Sequence, residues 1–133
     1  MDTLHRVVRI GLLYDHYGPL LTDHQNNAID LYYLQNLSLQ EIADIWRTTR
    51  QAVHDLINRT VHTLEEYENK LGLLAREQQI QAGLTECLEW LENARYAWST
   101  DPTAAEEPLG KAVERLKELL ELEPDADADA DGG

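Results

Sequence analysis

Ser38–Leu56, SLQEIADIWRTTRQAVHDL, reads as two short helices joined by a tight turn. Ser38 is a helix N-cap, and Glu41 stands where its side chain can reach back to the Ser38 backbone N–H, which makes a capping box. Leu39, Ile42, Ala43 and Trp46 then share one helical face. The pattern breaks around Arg47 and Thr48. Thr49 caps a second helix that opens Arg50-Gln51-Ala52-Val53. Caps, spacing and apolar face agree on a helix-turn-helix, a motif whose second helix offers its first residues to base edges in the major groove.

Working outward, Leu4–Tyr17 carries apolar residues at Val7, Ile10, Leu13, Tyr14 and Tyr17, which predicts a helix closed by Gly18-Pro19. Thr22 and Gln25 form a second capping box, opening a helix that runs to about Gln35, with Asn36 as its exit. Downstream, Val53, Ile57, Thr60, Leu64, Tyr67, Leu71 and Leu74 recur at alternating steps of four and three. That is a heptad seam, and Gly72 is its expected stop. Ile80, Leu84, Cys87, Leu91, Ala94 and Trp98 repeat the alternation over Arg76–Trp98. Gly83, inside this second stripe, costs about 1 kcal/mol relative to Ala and suits close approach of another helix. Ser99–Glu107 is a connector, and Pro108–Leu122 a last helix striped by Leu109, Val113, Leu116, Leu119 and Leu120.

The fold class expected is all-α: a trihelical helix-turn-helix head over residues 1–74, C-terminal helices for packing or dimerisation over 75–123, and an acidic tail over 124–133. The tail, DADADADGG after Pro124, has nothing to bury and is expected to be disordered.

The chain of 133 residues carries a net charge of −14. Residues 1–74 hold six Lys/Arg against ten Asp/Glu, and residues 75–133 hold five against fifteen. Strong non-specific DNA affinity, which rests on cationic side chains, is therefore not expected, and the acidity belongs mainly to the second half. No stretch is apolar enough for a membrane span, and no apolar run or cleavage site follows Met1–Arg9 that would mark a signal peptide. Cys87, the single cysteine, excludes an internal disulfide framework and a cysteine-based zinc site, and suits a reduced cytoplasmic interior.

Four chemistries can be weighed. On the second helix Arg50, Gln51 and His54 point outward while Val53 and Ile57 point in. Arg and Gln make bidentate contacts to guanine and adenine edges, and Thr49, Arg47 and Arg59 are placed for the nucleic-acid backbone. The bland alternative is a trihelical unit whose exposed polar residues read nothing. The seam and the second stripe suggest a homodimer interface of Ile57, Leu64, Tyr67, Leu71, Leu84, Leu91 and Trp98, set against the alternative that the two stripes pack on each other within one chain. A metal is not expected. Asp127, Asp129 and Asp131 mimic the opening of a calcium loop, but the chain ends before the required glutamate; His54 and His62 lie about 12 Å apart along a helix, too far to share an ion. Catalysis is not expected either. There is no nucleophile elbow, phosphate loop or dinucleotide fingerprint, and the neighbours Asp15-His16 and Asp23-His24 do not face each other on a helix. No cofactor is implied. Trp46, Trp90 and Trp98 suit core or interface positions.

The elements LLYDHYGPLLT, DLYYLQNLSLQEIA, RQAVHDLI and LEEYENKLGLL, spread over Ile10–Leu74, together resemble the YlxM family of small bacterial proteins, which is similar to region 4 of sigma factors in its helix-turn-helix. The resemblance implies an all-helical, oligomeric, cytoplasmic protein with a regulatory role in the signal recognition particle pathway, its ligand being DNA, the particle's RNA or the particle's GTPases. Two departures stand out. The family usually has a small or turn-forming residue at the position of Arg47 and an apolar one at Thr48, so a strained or looser turn is expected. The segment beyond Leu74 is longer and more acidic than expected, as if added. The competing expectation is a protein-interaction adaptor whose acidic half docks a basic partner without reading nucleic acid.

Overall fold

The computed structural model describes residues 2–122, and the acidic tail expected over 124–133, with its calcium-like aspartates, lies outside the described residues. Among the described residues there are six α-helices and no strand: α1 Asp2–Tyr17, α2 Asp23–Ile29, α3 Leu39–Trp46, α4 Arg50–Leu71, α5 Leu73–Thr100 and α6 Glu106–Leu120. The chain divides into two compact units, Met1–Leu74 and Ala75–Gly133.

Three of the expected helix starts are built by the expected side chains. Thr22 Oγ1 accepts from the Gln25 N–H and Gln25 Oε1 from the Thr22 N–H. Ser38 and Glu41 make the same reciprocal pair, and Thr49 Oγ1 accepts from the Ala52 N–H. Each satisfies N–H groups that the helix itself cannot. Gly72 ends α4 in the left-handed conformation, φ 62°, its N–H donating to the Glu68 carbonyl, as a glycine stop should.

Elsewhere the local backbone departs from expectation. Gly18 is not a left-handed cap; it opens a 3-10 turn, Gly18–Leu20, that Pro19 favours with its fixed φ. The helix expected to run to Gln35 widens after Ile29 into a π turn, Asp30–Leu34, and exits through Asn36 at φ 60°. The connector is shorter than predicted. α5 continues to Thr100, Asp101 caps a 3-10 turn, Pro102–Ala105, and α6 starts two residues before Pro108. Proline is tolerated there because a first-turn N–H has no helical acceptor.

The first unit has two linked cores. Ala28, Ile42, Ala43, Val53 and Ile57 close the helix-turn-helix, with Leu31, Leu39, Trp46 and Leu56 at their edge. Leu13, Tyr17, Leu21, Leu64 and Leu74 join α1 to the far half of α4. This corrects part of the expected dimer interface. Ile57 is 3% exposed and Leu64 fully buried within their own chain, and Tyr67 packs its ring 5.9 Å from that of Tyr17. Periodicity marked an apolar seam, but α2 and α3 cover its first half, at Val53 and Ile57, and α1 covers its second, at Leu64. Buried Thr60 sits in the same seam at no polar cost, because its hydroxyl donates to the Leu56 carbonyl at 2.8 Å.

A bidentate ion pair between Arg9 and Glu65, both contacts 2.8 Å, ties α1 to α4. Arg9 holds the Glu65 carboxyl below the usual carboxylate range, chiefly by that hydrogen bond. At the Gly72 end, the buried Tyr17 hydroxyl donates to Glu68 Oε1 at 2.5 Å and accepts from the Leu73 N–H at 3.1 Å. The same Glu68 oxygen accepts from the Leu74 N–H, so side chains of α1 and α4 supply the cap for the start of α5.

The second unit is an antiparallel pair, α5 against α6. Cys87 faces the Ala112 carbonyl, Arg115 binds Glu86, Lys111 lies 4.4 Å from the Trp90 ring centroid, and Gly83 meets Leu119. A Cβ on Gly83 would fall 2.5 Å from Leu119 Cδ2, so what the glycine admits is the tip of the Leu119 side chain. The buried layer is made of small residues, Cys87, Ala94, Ala105 and Ala112, while Leu84, Leu88, Leu91 and Trp98 of α5 and Leu109, Val113, Leu116 and Leu120 of α6 remain exposed.

Candidate nucleic-acid interface

The turn between α3 and α4 is closed by main-chain geometry. Arg47 adopts φ 56°, ψ 47°. The Thr48 N–H donates to the Ala43 carbonyl at 3.0 Å and the Arg47 N–H to Asp44 at 3.4 Å. That is a Schellman closure with Arg47 in the position glycine normally fills. The turn is therefore regular rather than loose, and the strain expected of it sits in one left-handed, non-glycine residue, at a cost on the order of 1 kcal/mol.

Six residues were predicted to touch nucleic acid: Arg47, Thr49, Arg50, Gln51, His54 and Arg59. All six are solvent-exposed. Arg47 and Thr49 lie in the turn and the others on the first three turns of α4. The rotation of about 100° per residue spreads the α4 side chains around the helix. Val53 and Ile57 point into the core. Gln51, His54, Asp55 and Asn58 make up the centre of the outward face, and Arg50 and Arg59 flank it on opposite sides.

Two members of that face stand outside the expected contact set: Asp55, which the sequence places on the outer face of the helix, and Asn58, which it does not single out. Asp55 Oδ1 accepts from Gln51 Nε2 at 2.9 Å and lies 3.7 Å from His54 Nδ1, and its carbonyl accepts from Arg59 Nε at 3.4 Å. Asn58 Nδ2 approaches His54 Nε2 at 3.3 Å. The clue was their spacing, four residues on from Gln51 and His54, which places neighbours on one helix face. Asp55 changes the chemistry of the surface. A carboxylate there repels phosphate, and it is the group that accepts from cytosine N4 at a base edge.

The same unit holds a cleft of about 730 Å³ walled by α1, the π turn with its exit, the start of α3, and α4. His54 and Asn58 line it as well as the outward face, so the two surfaces share an edge. Among the described residues no group of three or more His, Cys, Asp or Glu is placed to hold a metal ion, and no helix is long and apolar enough to cross a membrane.

Comparison with known proteins agrees with this geometry. Residues 4–97 match the model of the UPF0122 family, described as "Putative helix-turn-helix protein, YlxM / p13 like". A UPF0122 protein of Desulforamulus reducens is 43% identical over 117 residues, covering 88% of this chain and 95% of that protein. One of Symbiobacterium thermophilum is 50% identical over 88 residues, covering 66% of this chain and 82% of its own length. One of Geobacillus kaustophilus is 41% identical over 116 residues, covering 87% and 98%. Alignments of that length reach well past Leu74, so the second unit is shared with relatives and is not an addition peculiar to this chain. With its capped α3–turn–α4 unit and a family match over most of its length, the chain belongs to the YlxM/p13-like helix-turn-helix family.

Proposed function

We propose that this protein is a cytoplasmic, non-catalytic regulator that contacts nucleic acid through the outward face of α4, and that its service lies in the signal recognition particle pathway, as the YlxM resemblance implies. The observation carrying the proposal is the exposed set Arg50, Gln51 and His54 at the capped start of α4, held by a helix-turn-helix core that is itself complete. Arg50 and Gln51 supply base-edge contacts, and Arg47, Thr49 and Arg59 supply backbone contacts.

Binding is expected to be weak and strongly salt-dependent. Two arginines contacting phosphate, Arg47 and Arg59, give a slope of log affinity against log salt of about −2. Mobility shifts with duplex DNA and with signal recognition particle RNA test the reading. Arg50→Ala should weaken binding by about 1–3 kcal/mol if it reads a base. Unchanged binding across low to moderate salt removes the recognition-face claim.

The second unit is read as the homodimer interface. A hairpin that buries alanines and exposes Leu84, Leu91 and Trp98 leaves its larger apolar face uncovered, and such faces mark partners. A second hairpin would complete a four-helix bundle; Leu71, half exposed at the end of α4, stays in this proposal, whereas Ile57, Leu64 and Tyr67 leave it. A monomeric mass by light scattering at micromolar concentration refutes the dimer. The adaptor reading, in which the acidic second half docks a basic partner, draws on the five Lys/Arg against fifteen Asp/Glu of residues 75–133 and gains from the Asp55 carboxylate bonded to Gln51 on the outward face of α4. Capture of a basic signal recognition particle GTPase by a full-length protein carrying Arg50→Ala would favour it.

A further inference from the structure

The cleft beside the recognition face has a composition that the helix-turn-helix does not require. Its volume, about 730 Å³, falls in the range of small-molecule sites. One wall is irregular backbone, the π turn Asp30–Leu34 followed by left-handed Asn36. π turns inside helices are uncommon and gather at functional sites. This one brings two consecutive aromatic side chains, Tyr32 and Tyr33, to line the same cleft, edge to face with ring centroids 4.9 Å apart.

Opposite chemistry faces them. Arg6 of α1 lies close enough to act on the Tyr33 hydroxyl, offsetting part of the upward push that burial gives its pKa. His54 and Asn58 of α4 offer an imidazole and an amide, paired with each other at 3.3 Å, and Ile57 contributes an apolar surface between them. Glu41, also on the rim, is engaged in the capping box with the Ser38 N–H. The set therefore holds an aromatic face for a planar ring, a donor and acceptor pair for its edge, and one guanidinium for an anionic group.

We propose that this cleft binds a nucleoside monophosphate unit, its base against Tyr32 and Tyr33, its edge on His54 and Asn58, and its phosphate on Arg6. Unpaired bases are recognised in this way, by aromatic stacking with edge hydrogen bonds. The unit can arrive as a free nucleotide or as one unpaired residue of a strand. The site goes beyond the recognition face, from which it takes His54 and Asn58 and none of the arginines. Occupancy would fix the His54 side chain, so a bound nucleotide would alter what α4 presents to nucleic acid.

Calorimetric titration of the full-length protein with adenosine monophosphate, adenosine, inorganic phosphate and a short single-stranded oligonucleotide tests the site. Adenosine monophosphate is expected to bind. Arg6→Gln should weaken it by about tenfold while leaving adenosine unchanged, and Tyr33→Ala should weaken both by about tenfold or more, the range that one stacked base carries. Asn58→Ala, on an exposed side chain, serves as the edge probe should Tyr33→Ala lower the melting temperature. In the Arg50→Ala protein, where the outward face of α4 is weakened, tighter binding of the oligonucleotide than of the mononucleotide that is lost with Tyr33→Ala identifies the strand as the source; the reverse order identifies the free nucleotide. Arg50→Ala should leave the mononucleotide isotherm unchanged, so failure here and failure of the recognition face are separable. Absence of binding by both adenosine monophosphate and the oligonucleotide at millimolar concentration overturns the proposal, as does binding insensitive to Arg6→Gln and Tyr33→Ala.

Discussion

Tyr17→Phe isolates a single hydroxyl at the join between α4 and the start of α5. Tyr17 is fully buried, and phenylalanine fills the same space, so the loss is confined to two hydrogen bonds, to Glu68 Oε1 and from the Leu73 N–H. The first involves a carboxylate oxygen, and bonds to charged groups contribute about 1.5–3 kcal/mol. Glu68 keeps the Leu74 N–H, which limits the damage, so the expected loss is about 2 kcal/mol. For a chain of this size that lowers the melting temperature by roughly 6–10 °C. A second signature is available in pH. Burial, and then the bond to Glu68, push the Tyr17 hydroxyl up to about 12. Because the folded pKa lies above the ordinary tyrosine value of about 10, the group's contribution is complete below pH 10 and is lost as pH rises through 12. Thermal melts by circular dichroism at neutral pH and at pH 10–12 read both effects. A Phe variant within about 0.5 kcal/mol of the parent, or one that keeps the same alkaline decline, refutes the account.

Two further substitutions bear on the head. Arg47→Gly releases a left-handed side chain and should gain about 0.5–1 kcal/mol, the unfolded-state freedom of glycine offsetting part of the relief. A lower urea midpoint would contradict the Schellman assignment. Ile57→Ala should cost about 2–5 kcal/mol by opening a cavity under α4, with a drop in melting temperature relative to the parent that does not vary with protein concentration. A concentration-dependent loss would instead return Ile57 to an interface between chains.

What the sequence revealed and what it hid divide along sequence distance. The two capping boxes, the Thr49 cap and the Gly72 stop were legible because each depends on residues within one turn or on the absence of a side chain. The Val53–Leu64 seam and the Leu84–Trp98 stripe look alike in periodicity, yet the first is buried throughout while the second buries only Cys87 and Ala94. The difference is what lies upstream: α2 and α3 cover Val53 and Ile57, and α1, about fifty residues away, covers Leu64, and no local pattern encodes that. The π turn was hidden for a related reason: Leu31, Tyr32 and Tyr33 carry an ordinary helical pattern, and the extra residue per turn shows only in where Gln35 and Leu37 send their N–H groups, to Asp30 and Leu31. The candidate contact residues are exposed, as their positions in the pattern suggested, but Asp55 beside them went unweighted. The cleft draws its walls from residues 3 to 58, and only the folded chain assembles them.

α4 is one unbroken helix of 22 residues, about 33 Å from end to end. Its first turn carries the candidate reading face and its last is gripped by Tyr17 of α1. Such a helix does not bend midway without a proline, a glycine pair or a bulge, and α4 contains none. It therefore behaves as a rod with stops at both ends, Arg47–Thr49 at one and Gly72 at the other. Its hold is shared along its length, by Tyr17 at Glu68, Arg9 at Glu65 and Leu13 beside Leu64, so the direction in which the candidate reading face points is set by α1 as a whole rather than by any one contact.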